Sequence, residues 1–370
     1  MKKTGILFTY LVAFEKTGGI EKVNRTILKS LSFLADTVSI EAWSLYDNFV
    51  DEKYFPKKSF KGFNKNKIKY VIYLIFNCYK WDKIIVGHVN LAPVIRLIKW
   101  LHPQLKVVLI IHGIEVWKNL NPNRKWLLKN SDKIISVSNY TKQIVEKELS
   151  FKKDKIEVLH NCLDFYFPLE IKQEKPEYLL ERYNINNNCK VILTISRLSK
   201  SEVQKGYDKV IDALAKISHN EKQLDYKYLL CGLFDNKEYS RLNKLIQDHH
   251  LTEKIIITGF ISENELVDHY RLADIYIMPS KKEGFGLSYI EAAACGLLVI
   301  AGNKDGSAEA LMSGSIGQLI NPDDSREIYN ILLDSLKMTS VKNKIIADLA
   351  YDEYNFDKYS KLFNRIIELV

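Results

Sequence analysis

Two carboxylates, an arginine and a lysine stand where an α/β protein handles ligands. Residues 277–301 read IMPSKKEGFGLSYIEAAACGLLVIA. Ile277 and Met278 close an apolar run and Pro279 stops it. Gly284 and Gly286 permit a tight turn, 287–295 suits a helix, and 297–301 suits a buried strand. Glu283 therefore falls in a loop at the carboxyl end of a strand, with Glu291 in the helix that follows, where parallel sheets bind ligands. Upstream, Ser196-Arg197 follows another strand and Lys205-Gly206 opens the next helix. An arginine, a lysine and a helix N-terminus make an anion clamp suited to a diphosphate. Carboxylates do not bind phosphate; they accept hydrogen bonds from hydroxyls. The residues from 283 to 291 span roughly 12 Å if helical, comparable to the reach from a sugar to a ribose across a pyrophosphate. The ligand this composite suits is a nucleotide sugar.

Each piece also has a plainer reading. Glu291 suits a surface helix position, Arg197 a domain-interface ion pair, and Lys205 a solvated loop. Glutamates at this spacing arise by chance in a chain so rich in them. Their order, and their placement at strand ends, lift them above chance.

Those residues need a frame, and the chain offers two. Strands are expected at 5–10, 37–43, 83–87, 106–113, 133–138 and 155–161, alternating with helices, one of them capped by Asn139. The rhythm lapses over 162–188, which carries Pro168, Pro176 and the tract NINNN, and reads as a linker. It restarts at 190–196 and continues through 226–232, 254–260, 274–280 and 297–302, and roughly 324–370 is helical. Strand–helix alternation implies mostly parallel sheets covered on both faces. The expected class is α/β, with two Rossmann-like domains facing across a cleft. The domains are 1–165 and 189–354, the second carrying the nucleotide-sugar residues, joined by a linker at 166–188. The segment 355–370 has apolar residues at helical spacing and needs a surface to pack on.

Length and composition agree. The 370 residues suit two cores, and 46% hydrophobic with 27% charged is an ordinary globular balance. Five cysteines without C-x-x-C spacing point to reduced thiols in a cytosolic protein. The N-terminus imitates a signal peptide, but Glu15 and Lys16 follow at once without a small-residue cleavage site, so a first buried strand is expected.

Charge is uneven: 28 Lys and Arg face 16 Asp and Glu in residues 1–170, against 26 and 29 in 171–370. The densest basic part, 53–69, interleaves lysines with Tyr54, Phe55, Phe60 and Phe63, and the apolar run 70–76 follows. Such a surface suits anionic lipid headgroups. The alternative is a solvated lysine face with 70–76 in the core. No nucleic-acid module accompanies the charge, so nucleic acid is not an expected partner. No apolar run approaches the about 18 residues of a membrane span.

Several segments resemble the retaining glycosyltransferases of family 4, which have the GT-B fold. ISRLSKSEVQKGYDKVIDAL (195–214) is similar to the family's arginine and lysine-glycine segment, and 273–301 to its E-x7-E block. NCLDFYF (161–167), GGIEKVNR (18–25) and HGIE (112–115) are similar to the pre-linker segment and the first-domain loops.

The resemblance implies roles. Arg197 and Lys205 would hold the diphosphate, Glu283 the donor sugar with backbone N–H groups at Phe285, Gly286 and Leu287, and Glu291 the ribose. Gly18 and Gly19 would let the first-domain loop approach phosphates and acceptor, and His112 would face the sugar, unless it is a core histidine. The base would lie near Phe260 and Ile261. The family is metal-independent, and the chain has no D-x-D motif. No cofactor is expected beyond a UDP- or GDP-linked sugar as co-substrate. The last helix would cross back onto the first domain. Two departures stand out: Cys162 where glycine is usual, and Asp305 in place of the first of two glycines.

The expected activity is transfer of a sugar to a glycan or lipid-linked acceptor in bacterial surface polysaccharide synthesis, at the cytoplasmic membrane face. An epimerase of the same fold and an inactive nucleotide-sugar-binding subunit are the alternatives. The intact Arg197, Lys205, Glu283 and Glu291 argue against the second.

Overall fold

The structure, a computed structural model, describes residues 5–35, 38–118, 120–149, 155–168, 174–339 and 342–370. Two compact units divide the chain, 1–166 with 354–370 and 167–353. Each is built on one parallel sheet, as the alternation of strands and helices predicts.

The first unit holds strands β1 (Gly5–Tyr10), β2 (Ser39–Ser44), β3 (Phe60–Gly62), β4 (Lys83–Val86), β5 (Lys106–Ile111), β6 (Lys133–Ser136) and β7 (Ile156–Val158). Their order is β3-β2-β1-β4-β5-β6-β7, every pair parallel. The stretch that imitates a signal peptide is the central strand β1, with all six residues buried. Helices α1 (Gly19–Ser32), α2 (Lys67–Asn77), α3 (Ala92–Leu101), α4 (Ile114–Trp117), α5 (Pro122–Asn130) and α6 (Asn139–Leu149) connect the strands. Right-handed crossovers put α1 on one face of the sheet and α2, α3, α5 and α6 on the other. The core between these helices and the sheet contains Leu74, Ile95, Leu109 and Leu128.

The second unit holds β8 (Lys190–Ile195), β9 (Tyr226–Cys231), β10 (Ile255–Gly259), β11 (Ile275–Met278), β12 (Leu298–Gly302) and β13 (Gln318–Ile320), ordered β10-β9-β8-β11-β12-β13 and again all parallel. Its helices are α7 (Glu177–Arg182), α8 (Tyr207–Asn220), α9 (Asn236–Asp248), α10 (Glu263–Leu272), α11 (Leu287–Ala294), α12 (Ser307–Ala310), α13 (Ser325–Lys337) and α14 (Lys344–Tyr354).

The last helix, α15 (Phe356–Glu368), belongs to the first unit and packs on α1. Asn355 caps it, its side chain accepting from Lys358 N–H. Phe363, Ile366 and Ile367 are buried, Ser30 and Ser360 share a hydrogen bond of 2.8 Å, and Phe33 meets Phe356 edge-on. The buried Lys83 donates to the Ile367 carbonyl. The apolar face of 355–370 thus has the surface it needs.

The structure corrects several expectations. Ser138, not Asn139, caps α6: its hydroxyl accepts from Thr141 N–H, because Asn139 already lies in the helix. The stretch read as a linker contains α7, whose Leu179 and Leu180 are buried while Arg182 pairs with Glu265 of α10. Residues 169–173 of that stretch, and residue 37 of the second expected strand, lie outside the described residues. Of the aromatics in the basic segment, Tyr54, Phe55 and Phe63 are buried; they line the interior rather than a surface. All five cysteines are free and buried. Strands β3 and β13, three residues each, had no pattern long enough to announce them.

All five tryptophans lie in the first unit, so their fluorescence reports that unit alone. Phe363→Ala, which empties space between α15 and α1, is expected to lower its stability by about 3–5 kcal/mol, measured by urea unfolding. An unchanged midpoint would mean that α15 contributes nothing to the core.

Candidate functional site

In the second sheet the chain runs outward from β8 through β9 to β10, then returns to lay β11 on the other side of β8. The loops after β8 and β11 therefore emerge side by side at a switch point, where open parallel sheets bind ligands. Arg197 lies in the first of these loops, exposed and with no side-chain partner among the described residues. Lys205 ends a 3₁₀ turn before α8, and Gly206 follows with φ +79°. A Cβ at Gly206 would stand 2.5 Å from the Pro279 carbonyl oxygen, so only glycine lets this turn press against the end of β11. Lys281 N–H donates to Gln204 O at 3.0 Å and fastens the two loops.

The contact delivers Lys205 to Glu283. Their side chains form an ion pair, with only 14% and 19% of each exposed. Burial alone would lower the Lys205 pKa, but the Glu283 carboxylate, aided by Glu202 and Asp305, raises it. The lysine is held charged.

The backbone of Glu283 is fixed from the loop after β12. Its N–H donates to Asp305 Oδ2 at 2.6 Å, and its carbonyl accepts from Gly306 N–H at 2.9 Å. Asp305 Oδ1 accepts from Ser307 N–H at 2.9 Å. Burial pushes the Asp305 pKa up to about 6, with the Ser307 hydrogen bonds pulling it back and the Glu283 charge adding to the rise. Gly286, at φ +100°, turns the chain into α11, and a Cβ there would collide with the Tyr289 ring at 2.3 Å. Phe285 is buried, while Leu287 begins the helix half-buried.

Glu291 is buried in α11, and its Oε2 accepts from Tyr270 OH at 2.8 Å. Phe260 and Ile261 follow β10, two strands from β8; Phe260 is exposed. Arg197, Lys205, Glu283 and the start of α11 thus come from adjoining loops; Glu291 lies further along α11, bonded to Tyr270, and Phe260 follows the edge strand β10.

The first unit has its own switch point, between β1 and β4. Asp47 arranges the loop after β1: its buried carboxylate accepts from the N–H groups of Ala13 (2.8 Å), Phe14 (3.0 Å) and Glu15 (2.9 Å), and from Ser44 Oγ (2.7 Å). Gly18 and Gly19 follow at the start of α1, and a Cβ built on Gly19 would meet open space beyond its own helix among the described residues. His112 ends β5. Its Nε2 lies 2.8 Å from the Gly87 carbonyl, which fixes the proton on Nε2 and leaves the buried Nδ1 an acceptor with no hydrogen-bond partner among the described residues. His88 lies beside it, ring centroids 6.3 Å apart, its Nδ1 accepting from Asn90 N–H. Burial, with His112 and Arg124 nearby, holds the His88 pKa at about 3, so it stays neutral.

Asp47, His88, Tyr270 and the hydrogen bonds of Asp305 escaped the sequence reading. His88 carried a usable signal, a histidine at a strand end like His112. Asp47 and Tyr270 carried none, since their partners lie elsewhere in the chain.

Two substitutions test the loop anchors. Asp47→Ala strands three backbone N–H groups and is expected to destabilise the first unit by about 3 kcal/mol or more, read by tryptophan fluorescence; full stability would dismiss the anchor. Asp305 binds its proton more tightly in the folded protein than in the unfolded chain. Its contribution therefore erodes as pH rises from about 4 to about 6, by about 3 kcal/mol in total. Asp305→Asn removes that dependence, so the stability difference between wild type and variant should change across this window. A constant difference would show that the carboxyl does not titrate there.

Residues 177–348 match the family described as Glycosyl transferases group 1, and residues 17–167 match Glycosyltransferase Family 4. The chain is 24% identical over 273 residues to the N-acetyl-alpha-D-glucosaminyl L-malate synthase of Bacillus anthracis, covering 71% of this chain and 68% of that protein. It is 26% identical over 235 residues to the N,N'-diacetylbacillosaminyl-diphospho-undecaprenol alpha-1,3-N-acetylgalactosaminyltransferase of Campylobacter jejuni, covering 60% and 58%. Anabaena Alr3699/HepE, solved in complex with UDP and glucose, superposes with a TM-score of 0.81 at 17% identity, covering 99% of this chain and 100% of that one, and shares its fold. With both halves matched and the fold in common, the chain is a GT-B glycosyltransferase of the family 4 type.

Proposed function

We propose that the protein transfers a sugar, with retention at the anomeric carbon, from a UDP- or GDP-linked donor to a glycan or lipid-linked glycan of a bacterial surface polysaccharide. The observation that carries this is the meeting of Arg197, the Lys205–Glu283 pair and the start of α11 at the β8/β11 switch point. A diphosphate there gains the free guanidinium, the lysine and the helix N-terminus. As it takes Lys205, it frees the Glu283 carboxylate to accept from donor-sugar hydroxyls. Glu291, the second glutamate of the E-x7-E pair, is assigned to the ribose, and Phe260 and Ile261 to the base.

In this reading the bond from the anomeric carbon to the phosphate oxygen breaks, and the acceptor oxygen bonds the carbon on the same face. The acceptor proton passes to the departing diphosphate oxygen. Arg197 and Lys205 stabilise the charge on that diphosphate, the electrostatic work for which no metal is invoked. His112 Nδ1, an acceptor with no partner among the described residues, suits a sugar hydroxyl. Support for the donor class comes from Alr3699/HepE, solved with UDP and glucose. Support for the acceptor class comes from the Campylobacter relative, whose name specifies a diphospho-undecaprenol substrate.

Thermal-shift screening against UDP- and GDP-sugars is expected to give one stabilising donor, with the shift lost in Arg197→Ala and Glu283→Gln. Single-turnover transfer from that donor should fall at least a hundredfold in both variants, on the scale of removing one transition-state charge partner. No stabilising donor, or equal shifts in the variants, sinks the donor site. An isomerised donor formed without acceptor would make the protein an epimerase.

A further inference from the structure

The structure separates two things that the sequence ran together in residues 53–76. Tyr54, Phe55 and Phe63 of the basic segment turn inward, yet the helix after it leaves several of its apolar residues exposed. On α2, Tyr70 and Leu74 face the core, while Ile68, Ile72 and Phe76 form a stripe on the opposite side; Ile68 is 75% and Phe76 80% exposed. The neighbouring α3 does the same: Ile95 and Ile98 are buried, and Trp100 is 76% exposed. Tyr79, just after α2, closes the gap by donating to the Leu101 carbonyl at 3.0 Å and resting its ring 5.2 Å from that of His102. Both helices lie on the same face of the sheet, so Phe76, Tyr79 and Trp100 gather at their C-terminal ends. Such a concentration of large exposed apolar groups marks a docking surface.

The charge around it names the occupant. Residues 53–114 hold twelve lysines and arginines and one acidic residue, Asp82, which accepts from the Gly5 N–H. Lys57, Lys58, Lys65, Lys67, Lys69 and Lys80 are exposed and have no acidic partner among the described residues. A second copy of this face would set lysines against lysines. A bilayer with anionic headgroups meets both demands, taking the aromatic and aliphatic stripe into its interfacial region and the lysines at its charge layer. No helix among the described residues is long and apolar enough to cross a membrane, so contact would be from one side.

We infer that the outer face of α2 and α3, with Phe76 and Trp100 as anchors and the lysines of 57–80 around them, docks on an anionic lipid surface. The inference stands apart from the transferase reading, since it needs neither donor nor acceptor.

Flotation of the full chain with phosphatidylcholine vesicles, with and without phosphatidylglycerol, tests it. Binding is expected only with the anionic lipid and should weaken as salt rises. Each lysine contributes roughly fivefold, so Lys65→Glu/Lys67→Glu/Lys69→Glu should lower partitioning roughly a hundredfold. Lys216→Glu/Lys237→Glu, exposed in the second unit, should leave it unchanged. Phe76→Ser/Trp100→Ser should lower it at least tenfold while the melting temperature holds, since both side chains are already exposed. Trp100 is the one exposed tryptophan of five. Its emission should shift to the blue on anionic vesicles, and Trp100→Phe should lose that shift but still bind. Absence of binding overturns the inference, as does binding indifferent to Phe76→Ser/Trp100→Ser. A dimer in sedimentation that the same double variant dissolves would make the face a self-association surface instead.

Discussion

A carboxylate can be buried only where donors surround it, and both units use that requirement to set a loop. Asp47 is fully buried because three consecutive backbone N–H groups and a serine hydroxyl converge on it. Those amides would otherwise form an open anion nest at the switch point of the first sheet. The protein fills the nest with its own charge, which fixes the path into Gly18 and the start of α1. Asp305 plays the matching part in the second unit, where the N–H groups of Glu283 and Ser307 share its two oxygens. In each case the anchoring aspartate comes from the loop after a neighbouring strand, so sheet register determines where the anchored loop lies.

The Lys205–Glu283 pair depends on this second anchor. A half-buried ion pair gives little net stability, since desolvation offsets much of the attraction. Its value lies in keeping two opposite charges ready at one place without either forcing the loop apart. With the backbone of Glu283 held at both its N–H and its carbonyl, exchange of partners at Lys205 requires only side-chain motion. The tyrosines beneath the site stiffen the frame further: Tyr289 OH donates to the Met278 carbonyl and accepts from Ser307, while Tyr270 holds Glu291.

Much of this was legible in the chain because its signals are local. Apolar runs such as KVVLIIHG become buried strands, and Gly206 and Gly286 sit where positive φ and close contact demand glycine. The placement of Arg197, Lys205 and Glu283 at strand ends followed from the same runs. What escaped was long-range or marginal. Nothing near Asp47 announces amides 32 to 34 residues away, and nothing near Glu291 announces Tyr270. The pairing of Lys205 with Glu283 depends on β8 and β11 being neighbours, which strand order alone reveals. The basic segment misled because a tyrosine or phenylalanine among lysines gives no sign of which way it faces; packing beside Trp43 turned Phe63 inward.

The helix α15 gives the first unit an order of events. Ser30 and Ser360, bonded across the α1–α15 contact, are 330 residues apart. At the usual pace of synthesis, tens of seconds separate the emergence of the two. The first sheet can assemble in that interval, but the outer side of α1 waits with its apolar groups in water until the whole second unit has been made. A ribosome stalled within the second unit would therefore display a nearly finished domain with one sticky flank, a natural ligand for a chaperone.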